Sequence, residues 1–146
     1  MKKYIIVLVL ILSSLSYSQI YDPHRFEMAF SRIEQAFETA SPENIWPLIC
    51  SRTTIRIEAS LYQHISSIQS ESVLKEFFQN KDSVEFRFAG KFTHYRTAEG
   101  NGLMTYVSDK KKESINVDVY LNEFGSISAI NISNYPSSTA FYNFSR

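Results

Sequence analysis

Ile115, Val117, Val119 and Leu121 alternate without a break with Asn116, Asp118, Tyr120 and Asn122. A segment written this way has one economical use, a β-strand with one dry face and one wet face. The same period recurs elsewhere. Val84, Phe86 and Phe88 alternate with Glu85 and Arg87, and Ile55 and Ile57 with Arg56 and Glu58. Residues 61–65 read as the partner of that last strand after a turn near Ser60, and residues 103–107 and 127–132 complete the set. Gly90 falls where a long strand needs a bulge or bend. Glu99-Gly100-Asn101-Gly102 reads as a turn, residues 109–112 as a solvated basic loop, and residues 122–125 as a further turn. Strands that are each half wet predict an antiparallel sheet covered on one side only.

The cover is written in a three- and four-residue period. Residues 24–40 place Phe26, Ala29, Phe30, Ile33, Ala36, Phe37 and Ala40 on one stripe, with Arg32, Glu34, Gln35 and Glu38 opposite. Asp22 and Pro23 supply the start. Ser41-Pro42-Glu43 opens a short second helix, with Ser41 as cap and Ile45, Trp46 and Leu48 directed inward, ending near Pro47. A third helix spans residues 67–80, capped by Ser66 or Ser67, with Val73, Leu74, Phe77 and Phe78 as its apolar face. The expected fold is α+β, a curved antiparallel sheet packed on two or three N-terminal helices.

The first residues carry an address. Lys2 and Lys3 precede an apolar run of about ten residues, too short for a span of about twenty, and Ser16 and Ser18 supply small side chains at alternate positions. Residues 1–18 therefore read as a signal peptide cut after Ser18, leaving no stable membrane anchor. Gln19 at the first mature position excludes lipid attachment there, which requires Cys. The expected product is an exported, soluble periplasmic or extracellular protein, with a single domain at residues 19–133 and a tail at residues 134–146 that offers Phe141, Tyr142 and Phe144 for docking. The whole chain carries 15 basic and 15 acidic residues. Removing Lys2 and Lys3 makes it slightly acidic, which gives no electrostatic case for a nucleic-acid partner. One cysteine, Cys50, cannot form an intrachain disulfide, and it is expected to be a buried small apolar residue.

The order of elements over residues 26–132 resembles the cone of the nuclear-transport-factor-2-like, or cystatin-like, superfamily that includes the ketosteroid-isomerase and SnoaL-like families. More narrowly, three features resemble the small secreted Bacteroidetes family of unknown function DUF4783. These are the signal ending in Ser18-Gln19, the helix ending before Ser41-Pro42, and the run Val73-Leu74-Lys75-Glu76-Phe77-Phe78 ahead of a long strand. The resemblance implies a ligand site at the open mouth of the cone. It does not supply chemistry. The isomerase pattern of a carboxylate base and a tyrosine-containing oxyanion hole is not matched, since Phe26 and Phe30 stand on the first-helix stripe. Glu58 and Asp118 fall on the wet alternation and are expected to face solvent.

His24, His64 and His94 are too far apart in sequence to suggest a metal site, and neither a phosphate-binding glycine loop nor a nucleophile elbow occurs. No cofactor and no catalytic set are expected. The candidate ligand-binding residues are His94, Tyr95 and Arg96, read as neighbours on a long strand, together with His64 and Tyr106. The leading expectation is a non-enzymatic domain that binds a small apolar or amphipathic ligand or an envelope protein. The alternatives are an isomerase or dehydratase using a histidine or tyrosine in the cone, and a structural domain that forms a homodimer through its sheet.

Overall fold

In the computed structural model, Asp22 and residues 24–134 are described. The signal-peptide cut, the mature terminus at Gln19 and nearly all of the tail lie outside the described residues.

Helix α1 (His24–Glu38) begins at Asp22, whose carboxylate accepts the His24 amide at 3.0 Å. It ends in a left-handed turn with Ala40 at φ 49° and the Ser41 amide bonded to the Ala36 carbonyl. The expected second helix is two 3₁₀ turns, Pro42–Asn44 and Trp46–Leu48. Pro47 removes an amide that an α-helix continuing from Pro42 needs, and the tighter winding sends successive side chains in different directions. Ile45 is fully buried, whereas Trp46, expected inward, is 38% exposed. Ser41 does not cap free amides; its hydroxyl donates to Glu43 Oε2 at 2.6 Å.

Strand β1 (Ile49–Ile57) and β2 (Ser60–Ile65) form the first hairpin. Helix α2 (Ser67–Phe78) follows, opened by a capping box in which Ser66 and Gln69 satisfy each other's amides. Then come β3 (Asp82–Thr93), β4 (Ala98–Ser108), β5 (Lys111–Leu121) and β6 (Ile127–Ser133). The sheet order is β2-β1-β6-β5-β4-β3. All neighbours are antiparallel except β1 and β6. The structure is therefore a mostly antiparallel six-stranded sheet covered by two α-helices, with α2 inserted between β2 and β3, where the sequence pattern also puts it. Where the β1–β6 ladder breaks, the buried Thr53 hydroxyl lies 3.1 Å from the carbonyl oxygens of both Cys50 and Ile127. Cys50 itself is half-buried, not buried.

The bulge expected at Gly90 is present, between Phe88 and Gly90. The turn expected at residues 99–102 is not. Gly100 and Gly102 lie inside β4, paired to β5, because phenylalanine rings occupy the space that a side chain would fill. A Cβ on Gly100 would stand 2.6 Å from the Phe88 ring and 2.7 Å from the Phe30 ring, and one on Gly102 would stand 2.4 Å from Phe86. The β3–β4 turn is at residues 94–97, closed by the His94 amide on the Thr97 carbonyl. The β4–β5 turn is the two-residue pair Asp109-Lys110, both at positive φ, so Lys111 and Lys112 belong to β5 and not to a loop.

Candidate functional site

The covered face of the sheet is filled with aromatic rings. Phe30, Phe88, Phe86, Phe37, Phe78 and Phe77 form a continuous chain of neighbours with centroids 4.9–5.2 Å apart, mostly edge to face. At each end a lysine lies over the rings. Lys91 Nζ is 5.2 Å from the Phe88 centroid and 3.5 Å from Glu34 Oε2. Glu34 also accepts the Phe88 amide through Oε1, which ties α1 to the edge strand β3.

The other end gathers titratable groups. Lys81 Nζ stands 4.2 Å over the Phe77 ring and 5.1 Å over the Tyr106 ring, and donates to the Phe77 carbonyl at the end of α2. The Tyr106 hydroxyl donates to Glu113 Oε2 at 3.0 Å. Burial, helped by that bond to Glu113, pushes the Tyr106 phenol up to about 12. Burial also lowers the Lys81 ammonium below its ordinary range, opposed by the Glu113 and Glu58 carboxylates. Glu58 Oε1 accepts Asn134 Nδ2 at 2.9 Å where β6 ends. A phenol held protonated, a lysine whose charge burial disfavours and two carboxylates thus meet at one end of an apolar face. The arrangement can accept and donate hydrogen bonds to a polar head while the rings meet an apolar body.

Of the five residues singled out in the sequence, only Tyr106 belongs to this cluster. His94, Tyr95 and Arg96 are exposed in the β3–β4 turn rather than on a strand. They stand at the opposite end of β4, about 30 Å away at the usual strand rise. His94 Nε2 is 3.9 Å from Glu99, and Arg96 Nε is 3.1 Å from Glu123. His64 is exposed on edge strand β2, at φ 53° where the pairing with β1 shifts. The structure does not bring these four to Tyr106. Lys81 and Glu113 were missed, although Glu113 stands in phase with Ile115 and Val117, so an acid on the dry alternation was visible in the sequence.

The opposite sheet face holds a second polar arrangement. Asn101, Asp118 and Asn131 are cross-strand neighbours on β4, β5 and β6. Asp118 accepts Asn101 Nδ2 at 2.9 Å and Asn131 Nδ2 at 3.1 Å. Expected to face solvent, Asp118 is 1% exposed, and the buried Asn131 Oδ1 has no hydrogen-bond partner. Among the described residues no group of three or more His, Cys, Asp or Glu could hold a metal ion, and no helix is long and apolar enough to cross a membrane.

This architecture is the nuclear-transport-factor-2-like fold. Among solved structures, a DUF4783 family protein from Bacteroides uniformis matches with TM-score 0.64 and 14% identity, over 73% of this chain and 96% of that one. An NTF2-like protein of unknown function from Exiguobacterium matches with TM-score 0.57 and 12% identity, over 72% and 96%. A SnoaL-like chain from Jannaschia, provisionally described as a polyketide cyclase, matches with TM-score 0.61 and 8% identity, over 78% and 89%. At these identities the likeness is one of fold. No family model and no curated protein matches the sequence.

Proposed function

We propose that the chain is an exported, non-enzymatic domain that binds a small amphipathic ligand at the end of the sheet closed by Tyr106. The carrying observation is the meeting of Tyr106, Lys81 and Glu113 at the end of an otherwise apolar face. The inner face farther along is already filled by phenylalanine rings, which favours a ligand held at the mouth over one enclosed within. The absence of a recognised catalytic motif in the sequence and the separation of His64 and His94 from Tyr106 favour binding over acid–base chemistry. The test is thermal melting of the purified protein against fractions of envelope extract. A fraction that raises the melting temperature of the wild type but not of Lys81→Met or Tyr106→Phe supports the reading. No stabilising fraction, or one that stabilises all three proteins equally, refutes it.

A second reading is homodimerisation through the outer sheet face. It is favoured by Leu61, Phe92 and Leu103, which are exposed there beside the polar row.

A further inference from the structure

The chain has one tryptophan, and it is not in the core. Trp46 is carried on the 3₁₀ turn that precedes β1, toward the end of the sheet remote from Tyr106. It lines a groove of about 260 Å³ with Pro47, Glu43 and Glu71. An exposed indole is unusual for so large an apolar side chain, and the prolines beside and before it fix the backbone that presents it.

The polar rim is tied together. Lys75 Nζ lies 2.5 Å from Glu71 Oε1 and 3.5 Å from Glu43 Oε1, while the Ser41 hydroxyl donates to Glu43 Oε2. The Ser41 bond, with Lys75 assisting, holds the Glu43 carboxyl below its ordinary range, and Glu71 raises the Lys75 ammonium. The contacts to Lys75 and Ser41 therefore orient both carboxylates in advance, and each retains lone pairs for further donors.

We propose that this groove is a carbohydrate subsite that takes one ring of a neutral β-linked hexopyranose chain, with Trp46 as the stacking platform and Glu43 and Glu71 as hydroxyl acceptors. A β-linked pyranose of gluco configuration has all its substituents equatorial, so its faces are flat patches of C–H bonds, slightly positive and matched to the negative face of the indole. Its edge carries hydroxyl groups, which can donate to the Glu43 and Glu71 carboxylates that line the same groove. A cationic ligand is the natural competitor for an indole flanked by acids. Here Lys75 already stands between the two carboxylates, and a second cation would have to displace it. A wholly apolar ligand would leave the rim acids desolvated without partners. The groove is smaller than the roughly 300–1,000 Å³ pockets that enclose drug-sized molecules, in keeping with one ring of a longer chain lying across the surface. The inference does not depend on the reading of the Tyr106 end.

Because Trp46 is the only tryptophan, its fluorescence reports this site alone. The purified protein is titrated with cellotetraose and chitotetraose, with choline as the cationic control. The expected result is a saturable change in emission with at least one tetrasaccharide and none with choline. The double substitution Glu43→Gln, Glu71→Gln is expected to weaken the sugar response by tenfold or more (about 1.4 kcal/mol) while thermal melting stays within a few degrees of wild type. Calorimetry with Trp46→Ala, expected to lose the binding heat, guards against a fluorescence artefact. The proposal is overturned if neither sugar gives a saturable response, if choline matches the sugars, or if the double variant binds as the wild type does. Lys81→Met is expected to leave sugar binding unchanged, so failure at this groove and failure at the Tyr106 end are read separately.

Discussion

Strands β4, β5 and β6 present two faces that share a backbone and differ in how they are filled. The covered face is closed by shape, with Gly100 and Gly102 removing side chains so that the rings of Phe30, Phe86 and Phe88 can lie against the strand. The outer face is closed at its centre by hydrogen bonds, with Asp118 accepting from Asn101 and Asn131. The contrast separates two properties that an alternating pattern merges, because polar residues on the second face are nevertheless buried. One face should therefore respond to changes of volume and the other to changes of hydrogen-bonding capacity.

The largest effect belongs to the rings. Phe86 is 1% exposed and touches Phe37 and Phe88. Phe86→Ala should destabilise the protein by about 3–5 kcal/mol, measured by denaturant unfolding. Gly102→Ala alone should cost about 1–3 kcal/mol through overpacking. In the Phe86→Ala background the same change should cost clearly less, because the ring is gone and only the Arg87 carbonyl, 3.0 Å from the added Cβ, still crowds it. Additive losses in that double-mutant cycle would show that Gly102 is needed for its backbone and not for the ring.

On the outer face, Asp118→Ala removes the acceptor of two amides and should cost about 2 kcal/mol. Restoring volume without hydrogen-bonding capacity, as Asp118→Val, should recover little of that loss. If it recovers most, this face too is closed by shape and the comparison fails.

Next in size is a pH effect at the Tyr106 end. Its phenol is raised from 10.0 to about 12, so folding favours the protonated form. That contribution is fully present below pH 10 and is lost as pH rises through about 12. The lowered value of Lys81 acts in the opposite direction, adding stability as pH rises toward the ordinary lysine range. The difference between wild type and Tyr106→Phe isolates the phenol. Their unfolding free energies should run parallel below pH 10 and converge above it, and parallel curves throughout would show that the phenol is not held protonated by the fold.

How far the sequence reveals the molecule follows from which physical signals are local. Helix stripes and strand alternation are local, so α1, α2, the core phenylalanines and the wet-dry phase of β5 were legible. The 99–102 segment was misread because glycine makes a turn and glycine beneath a ring look alike in sequence. Only the distant Phe30, Phe86 and Phe88 distinguish them. The true β4–β5 turn, Asp109-Lys110, adopts positive φ at both residues without glycine or asparagine to announce it. At the candidate site, Tyr106 was legible as a candidate ligand-binding residue. Lys81 was not, because its place over Phe77 and Tyr106 depends on where α2 ends relative to β4.

The smallest expected effect concerns Leu103, which shares the outer face with Asn116 and Arg87 as cross-strand neighbours and is 48% exposed. Leu103→Ser removes apolar surface that is largely in water already, so the unfolding free energy of an isolated chain should change by no more than about 0.5 kcal/mol. The same substitution would weaken a homodimer formed through this face, because there the leucine would be buried against its counterpart. Sedimentation equilibrium and denaturant unfolding over a hundredfold concentration range distinguish the cases. A monomer whose stability ignores both the substitution and the concentration leaves the outer face closed only at its polar centre. A concentration-dependent loss in Leu103→Ser would show that the apolar edge of this face is completed by a second chain, with shape complementarity operating on both sides of the sheet.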